Sequence, residues 1–481
     1  MPDLRTAAAA LAAATLTAAC ATNPATGQHQ LSLMSEEQEI QLGAQQDLQV
    51  RREMGVYSDQ ALQEYVSSIG HRLAQVSERQ NLPWRFTVVD VPAINAFALP
   101  GGYIYVTRGI LPFLQDEAQL AGVMGHEIGH VTARHTVQQY SRSTASQLGL
   151  ILGSVFVPEA RPFTSLGETG LGLLSLKYGR DDEAQADALG VRYAARAGWD
   201  PDGVPQMLTT LGRVEETADN KGVPNWLATH PPAPDRVERV QAAVSEAEQG
   251  ATRFTTDHDG YLKRLSGLLY GDNPDQGIVR GSTFLHPGLR FAIDFPRGWD
   301  LTNGQTQVVA QEPGTKVLML LQPVRRPEGQ TIEDIALLSM QRAGLRALEG
   351  SVTNIGGLNA YLATYAGSTK DLGRVTVRAA HVMVDRSVYL VAGLAPDQEY
   401  SRAEPSFTAA IKTFRAMTRA QAEDVHPNRI NLYTARQGDT WQGIAARTGN
   451  LVKPTTLAIM NGHAVNDPPR TGERLKVVVA G

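Results

Sequence analysis

The sequence predicts a multidomain α+β protein, and three observations carry this prediction. The chain has 481 residues, about three times the usual domain length of ~150 residues. Its first half carries helical patterns around a short strand region, whereas alternating apolar and polar residues near 360–366, 374–384 and 387–393 indicate strands. The pattern of the C-terminal end indicates a strand, two short helices and a final strand in that order. We therefore expect three cores in series.

Composition and charge exclude several classes of protein. With 42% hydrophobic and 19% charged residues, the chain can bury sizeable cores, which excludes general disorder and fibrous repeats. Its 44 Lys and Arg against 49 Asp and Glu give a net charge of -5, so we expect no nucleic-acid partner. The single cysteine, Cys20, excludes an internal disulfide framework and a cysteine-ligated zinc cluster.

The N-terminus predicts a signal peptide over 1–19, because its apolar run is shorter than the ~20 residues that span a bilayer. The run ends in LTAAC, which resembles the bacterial lipobox, although Thr17 stands where the lipobox usually has leucine. The resemblance implies that Cys20 carries a lipid and that the periplasmic protein is anchored to the inner face of the outer membrane. Ala21, the residue after the cysteine, resembles the sorting pattern for the outer membrane. An ordinary signal peptide with an incidental cysteine is the alternative. No later run of apolar residues is long enough to span a membrane.

A polar tether is expected over 20–34, followed by a capping box at Ser35–Gln38 that begins the first domain. The motif HExxH follows at His126, Glu127 and His130, on a segment with an acidic helix start. Side chains four residues apart lie about 5–6 Å apart on one face of a helix. The two histidines can therefore hold one tetrahedral zinc ion per chain, with Glu127 directed at a water molecule.

Zinc needs a third protein ligand. A metzincin would supply a histidine at the position of Thr136, so that class is excluded, and we expect His135 to cap or pack the helix end. Glu183 and Asp187 lie four residues apart on a second predicted helix. We expect Glu183 to be the third ligand and Asp187 to accept a hydrogen bond that fixes the tautomer of a ligand histidine. A solvated acidic face is the alternative.

Several motifs occur together in a characteristic order. They are NPATG at 23–27, NAFALPGG at 95–102, HEIGH at 126–130, YGRDDEAQAD at 178–187 and THPP at 229–232. In this combination the chain resembles the forty-eighth metallopeptidase family, gluzincins related to CAAX prenyl endopeptidases, in its periplasmic, outer-membrane quality-control form. The resemblance implies a mainly helical zincin-type domain with a small sheet over 35–250.

The resemblance also implies roles for further residues. Asn95, Ala96, Phe97 and Ala98 would form an edge strand that pairs with an extended substrate. His230 would face the active site, where it either stabilises the tetrahedral oxyanion or fills the open zinc position in a self-inhibited resting state. Arg236 would be a cation near the oxyanion, with a surface salt bridge as the alternative. The reaction implied is peptide hydrolysis by metal-activated water, with Glu127 as general base.

The second domain is expected over 275–418, with strands such as 291–295 and helices at 331–348 and 404–415. The pattern resembles PsbP-like α/β/α sandwiches, for which we expect a docking or scaffolding role. A linker over 419–430 follows.

The last module is expected over 431–479, and GDT at 438–440 with its flanking pattern resembles LysM, a βααβ module that holds N-acetylglucosamine glycans. The resemblance implies that Thr440, Trp441 and Asn461 contact peptidoglycan. This chain has Trp441 and then glutamine where LysM usually has leucine and then tryptophan. Filling of a small core by Trp441 is the alternative.

Three hypotheses for the whole chain follow. The first is a zinc metalloendopeptidase that cleaves misfolded or stalled envelope proteins. The second is a periplasmic chaperone or assembly factor with a largely self-inhibited metal site, and the third is a cell-wall-associated hydrolase. The segment between His135 and Tyr178 is expected to be either a helix pair packed on the HExxH helix or a mobile lid.

Overall fold

The computed structural model describes residues 20–142, 178–217, 226–231, 235–249, 253–369, 372–464 and 466–481. The predicted signal peptide and most of the segment between His135 and Tyr178, where a lid or helix pair is predicted, lie outside these residues. The chain divides into two compact units. The first contains residues 1–219, 224–268 and 429–479, and the second contains 220–223, 269–428 and 480–481. None of the helices in the described ranges has the length and apolar character needed to cross a membrane.

The first unit is mainly helical. Before residue 268 its helices are α1 (Glu36–Met54), α2 (Gln60–Ala74), α3 (Glu117–Thr132), α4 (Arg180–Arg196), α5 (Gly203–Thr217), α6 (Trp226–Thr229), α7 (Arg236–Ala247) and α8 (His258–Leu265). A short 3-10 turn spans Leu111–Phe113. The capping box predicted at Ser35 begins α1, because the Ser35 hydroxyl accepts from the backbone of Gln38.

Two small sheets accompany these helices. Strands β1 (Cys20–Thr22) and β2 (His29–Leu31) form an antiparallel pair. Strands β3 (Arg85–Val89), β4 (Ala96–Leu99) and β5 (Tyr103–Thr107) form a sheet in the order β3-β5-β4. β3 is parallel to β5 and β4 is antiparallel to it, so β4 lies at an edge of this sheet.

Helix α3 lies at the centre of the first unit, with every residue from Ala118 to Thr132 buried. Its N-cap is Asp116, whose side chain accepts from the backbone N–H of Gln119. Glycines allow α4 to approach it closely: a Cβ built on Gly190 would lie only 3.0 Å from the backbone nitrogen of His126. Any larger residue at Gly190 would therefore separate the two helices.

The second unit is built on antiparallel strands. They are β6 (Leu269–Tyr270), β7 (Ile278–Arg280), β8 (Thr283–His286), β9 (Phe291–Asp294), β10 (Asp300–Asn303), β11 (Val308–Gln311), β12 (Leu318–Val324), β13 (Arg346–Ile355), β14 (Leu358–Thr369), β15 (Gly373–Val384), β16 (Ser387–Pro396) and β17 (Arg415–Ala416). Seven of them form a sheet in the order β10-β11-β12-β16-β15-β14-β13, and four form a sheet in the order β17-β9-β8-β7.

Helices cover both faces of the seven-stranded sheet. α9 (Ile332–Arg342) contributes to one hydrophobic core and α10 (Asp397–Lys412) to the other. A short helix, α11 (Arg419–Glu423), and a 3-10 turn at Pro274–Gln276 complete the unit. The predicted multidomain α+β class is confirmed, whereas the PsbP-like assignment stays a prediction.

The C-terminal segment returns to the first unit. It contains β18 (Asn428–Thr434), α12 (Trp441–Arg447), α13 (Pro454–Met460) and β19 (Arg474–Ala480) around its own small core. Fully buried Lys476 on β19 donates to the backbone oxygen of Leu114 and to the side-chain oxygen of Gln115, just before α3. The predicted order of strand and helices is present, but the segment packs against the α3 region and is not a separate body.

Candidate metal centre and active site

Four side chains from three helical segments converge at the centre of the first unit. Ligand atoms of His126, His130, Glu183 and His230 all lie within 4.8 Å of one another, and all four residues are buried. The two Nε2 atoms of the HExxH histidines are 3.0 Å apart. Glu183 approaches them at 3.8 Å from His126 Nε2 and 3.5 Å from His130 Nε2. The structure thus brings the three predicted ligands together, and His230 joins them.

The charges at this centre fit a divalent metal ion. Both carboxylate oxygens of Glu127 are buried and accept no hydrogen bond from the described residues. The carboxylate of Glu183 is also buried, and Nη2 of Arg236 lies 2.9 Å from it as an ion-pair partner. Burial raises the pKa of Glu127 to about 8 and that of Glu183 to about 9, although Arg236 opposes both shifts. Buried carboxylates without donors are costly unless a cation compensates them. Two imidazoles and a carboxylate are also a donor set typical of catalytic metal sites.

Asp187 lies behind the first histidine, as predicted. Its Oδ1 is 2.9 Å from Nδ1 of His126, which leaves Nε2 of that ring directed at the cluster. Burial opposes ionisation of Asp187, but hydrogen bonds from His126 and Arg236 outweigh it and lower its pKa. The carboxylate therefore stays charged and orients the ring.

Arg236 is enclosed within the site, and its predicted role as a cation near the oxyanion stays a prediction. It is buried, so it is not a surface salt bridge. Its Nε and Nη2 donate to the two oxygens of Asp187, Nη2 also lies 2.9 Å from Glu183, and Nη1 donates to the backbone oxygen of His230. Because its donors are engaged by protein acceptors, these contacts favour a positioning role for Arg236 over direct contact with an oxyanion.

His230 faces the general base. Its Nε2 lies 3.4 Å from Oε1 of Glu127, and its Nδ1 lies 2.8 Å from the Thr229 hydroxyl and 3.2 Å from the backbone oxygen of Trp226. The backbone oxygen can only accept, so this contact favours the tautomer with the proton on Nδ1 and the lone pair on Nε2. Burial lowers the pKa of His230 well below its usual value, which keeps the ring neutral. A neutral ring in this tautomer can bind a metal ion but cannot donate from Nε2.

Two aromatic residues of the site were missed by sequence reasoning. The ring of Tyr178 stacks on His130 with centroids 3.8 Å apart, and Trp226 stacks on His230 with centroids 4.0 Å apart. Tyr178 stands at the start of the YGRDDEAQAD motif, and Trp226 precedes His230 by one helical turn. Their proximity in sequence to predicted site residues was the available signal.

The predicted substrate-binding segment is buried against the HExxH helix. Ala96, Phe97 and Ala98 belong to β4, which packs on α3. Asn95 precedes it, and its side-chain oxygen accepts from the backbone N–H of Ala96. The backbone N–H of Trp226 donates to the backbone oxygen of Ile94. This bond attaches helix α6, which precedes His230, to the chain just before β4. Pairing of a substrate with β4 stays a prediction.

The three residues predicted to bind glycan make internal contacts. The Thr440 hydroxyl caps α12 by accepting from Gly443 N–H. Trp441 is 3% exposed, and its Nε1 donates to the backbone oxygen of Asp467. The side chain of Asn461 bonds to the backbone of Lys476 in both directions. These contacts favour structural roles, with Trp441 filling the core of the segment, and glycan binding stays a prediction.

A helix with an HExxH motif, joined by a carboxylate from a neighbouring helix, is the arrangement typical of gluzincin metallopeptidase sites. Residues 60–244 match the family model described as Peptidase family M48. The matched segment carries His126, His130, Glu183 and His230.

The chain is also similar to several proteins named as proteases. The chain is 30% identical over 256 residues to the beta-barrel assembly-enhancing protease of Escherichia coli K12, covering 51% of each chain. It is 26% identical over 354 residues to the protein of that name from Yersinia pestis, covering 68% of this chain and 71% of the relative. It is 31% identical over 202 residues to the mitochondrial metalloendopeptidase OMA1 of Arabidopsis thaliana, covering 42% and 40%. The chain spans about half the length of the first and third of these relatives.

Among solved structures, the solution structure of cyanobacterial PsbP from Synechocystis is 11% identical, with a TM-score of 0.25, and covers 29% of this chain and 95% of that one.

Proposed function

We propose that this protein is a zinc-dependent metalloendopeptidase. The observation that carries the proposal is the convergence of His126, His130 and Glu183, with the carboxylate of Glu127 beside them. Three protein ligands leave one position open, as in catalytic zinc sites, whereas structural zinc sites are closed by four. The relatives named as proteases and metalloendopeptidases support the same class of reaction.

The side chains of the site have separate tasks in this reaction. When bound, zinc supplies a Lewis acid that makes water nucleophilic at neutral pH and polarises the peptide carbonyl. Glu127 takes a proton from the attacking water and passes it to the leaving amine nitrogen. Its burial raises its pKa to about 8 and favours proton uptake, while a bound cation acts in the opposite direction. Asp187 and Arg236 keep the ring of His126 in its orientation.

His230 is proposed to fill the remaining metal position in a resting state. The contact with the backbone oxygen of Trp226 favours a proton on Nδ1, and in that tautomer Nε2 is a lone-pair donor directed at the cluster. A role in stabilising the oxyanion would require a proton on Nε2, which the backbone oxygen of Trp226 disfavours.

The proposed substrates are misfolded or stalled proteins of the bacterial envelope, and the proposed location is the periplasm. The lipobox-like LTAAC sequence supports a lipid anchor at Cys20 to the outer membrane. The two relatives named beta-barrel assembly-enhancing protease support envelope proteins as substrates. The edge position of β4 suits an extended polypeptide, because main-chain pairing does not depend on side-chain identity.

Glu127→Gln tests the proposal, since glutamine has nearly the same shape but cannot act as a base. We expect casein cleavage by the full chain to fall by about 10²–10⁴-fold, while zinc content stays that of the wild type. Glu117→Gln is the matched control. Glu117 lies on the same helix, and glutamine keeps a side-chain oxygen that can accept the hydrogen bond from Nε1 of Trp199. Undiminished cleavage by Glu127→Gln, or wild-type cleavage that resists metal chelation, would refute the proposal.

A further inference from the structure

His135, just after the end of α3, is buried beside the metal centre and has no role in the mechanism above. Its Nδ1 lies 2.8 Å from Nδ1 of His130. Its Nε2 lies 2.9 Å from the side-chain oxygen of Gln185, two residues after Glu183 on α4. The ring therefore connects one proposed metal ligand with the neighbourhood of another.

Asn23 determines which atom Gln185 presents to His135. The backbone N–H of Ala25 donates to Oδ1 of Asn23 at 2.9 Å, so the amide nitrogen of Asn23 is turned inward. That nitrogen donates to the backbone oxygen of Ala133 at 3.2 Å and to Oε1 of Gln185 at 3.4 Å. Gln185 consequently presents its oxygen, an acceptor, to Nε2 of His135.

We propose that the side chains of Asn23, Gln185 and His135 form a relay of hydrogen bonds that holds His130 in its metal-binding tautomer. A neutral imidazole has one donor nitrogen and one acceptor nitrogen. Because His135 donates from Nε2, its Nδ1 must accept, and the N–H at Nδ1 of His130 supplies that bond. The lone pair of His130 then lies on Nε2, the atom that faces His126 and Glu183.

The opposite orientation of the Gln185 side-chain amide would prevent His130 from binding a metal ion. If Gln185 presented its amide nitrogen, His135 would accept at Nε2 and donate from Nδ1, and the proton of His130 would move to Nε2. That atom could then no longer bind a metal ion. The carboxylate of Asp182, 3.9 Å from Nε2 of His135, is a second acceptor on the same side and favours the first orientation.

The relay thus does for His130 what Asp187 does for His126. Contacts of this kind behind a ligand histidine typically change metal affinity by about 10–100-fold. The relay also links the metal centre to the NPATG turn at 23–27, close to the proposed lipidation site, Cys20. His135 is a positioning residue, and the inference rests on the proposed zinc site.

The test is zinc affinity, measured on the purified full chain by competition with a chromophoric chelator. His135→Leu removes the acceptor, and we expect zinc binding to weaken by about 10–100-fold. In His135→Asn the side-chain oxygen takes the place of the imidazole Nδ1 and can still accept from His130, so this variant should keep most of the affinity. Gln138→Leu is the control, because buried Gln138 also donates to the backbone oxygen of Ala133, while its side-chain hydrogen bonds within the described residues go to groups other than His130.

The outcomes separate the relay from the proposed function. Wild-type protein that bound no zinc would overturn the metal site and the relay together. Tight wild-type binding with unchanged affinity in His135→Leu would overturn the relay alone. Equal losses of zinc affinity in His135→Leu and His135→Asn would also overturn the relay. The same holds for an equal loss of zinc affinity in Gln138→Leu, because the effect would then be general destabilisation.

Discussion

The indole of Trp226 lies nearly parallel to the imidazole of His230, with ring centroids 4.0 Å apart and an interplanar angle of 12°. The backbone oxygen of Trp226 also lies 3.2 Å from Nδ1 of His230. One residue therefore fixes both the position of the histidine ring and the location of its proton.

This relationship predicts the effect of His230→Ala. If Nε2 of His230 occupies the fourth metal position, its removal should weaken zinc binding and leave casein cleavage intact or faster. Zinc affinity and kcat are measured on the same preparation. Trp226→Phe should change neither, because the stacking is kept and the indole Nε1 has no hydrogen-bond partner among the described residues. Unchanged zinc affinity with a lower kcat would instead assign His230 to the oxyanion.

The close approach of α3 and α4 predicts that Gly190→Ala damages the metal centre. The new methyl group would meet the backbone of His126 at 3.0 Å, and overpacking of this kind costs about 1–3 kcal/mol. Both thermal stability and zinc affinity should fall. Gly212→Ala on α5 is the control, since its added Cβ would contact nothing within 4 Å. Equal behaviour of the two variants would contradict the proposed packing.

The burial of Lys476 predicts that the free energy of unfolding depends on pH. Burial lowers its pKa from 10.5 to about 7, although Asp116 opposes the shift. Between these values the unfolded chain binds a proton that the folded chain does not, so stability should rise as the pH increases from about 7 to 10. Below about pH 7 both forms are protonated and this contribution to the slope disappears.

The measurement for Lys476 is the thermal unfolding midpoint between pH 6 and 10. Lys476→Met should flatten the rise, whereas Lys263→Met, at an exposed position on α8, should leave it unchanged. Parallel curves for Lys476→Met and wild type would mean that Lys476 does not titrate in this range.

The lipobox-like sequence predicts that Cys20→Ser releases the protein from the membrane fraction into the soluble periplasmic fraction. Serine lacks the thiol that carries the lipid, and the anchoring free energy of about 0.8 kcal/mol per buried CH₂ is lost with the acyl chains. Fractionation followed by immunoblotting measures this. A variant that stayed in the membrane fraction would favour the ordinary signal peptide.

Helix boundaries in the second unit illustrate the limits of local patterns. The sequence predicted a helix at 404–415, but α10 spans Asp397–Lys412 and passes through Pro405. A proline inside a helix costs about 3 kcal/mol, so local propensity argues for a later start. Packing of Phe407 and Ile411 in the core below the sheet compensates for that cost.

The sequence by itself determined the catalytic helix, because the α-helical repeat places residues four apart on one face. It also identified the carboxylate pair on the second helix for the same reason. Only the tertiary structure decided how these parts meet: the glycine contact that brings α4 to α3, the pairing of Arg236 with Asp187, and the relay behind His130. Each of these depends on residues distant in sequence. Their contacts arise from packing and from the need to pair buried polar groups, which no local repeat encodes.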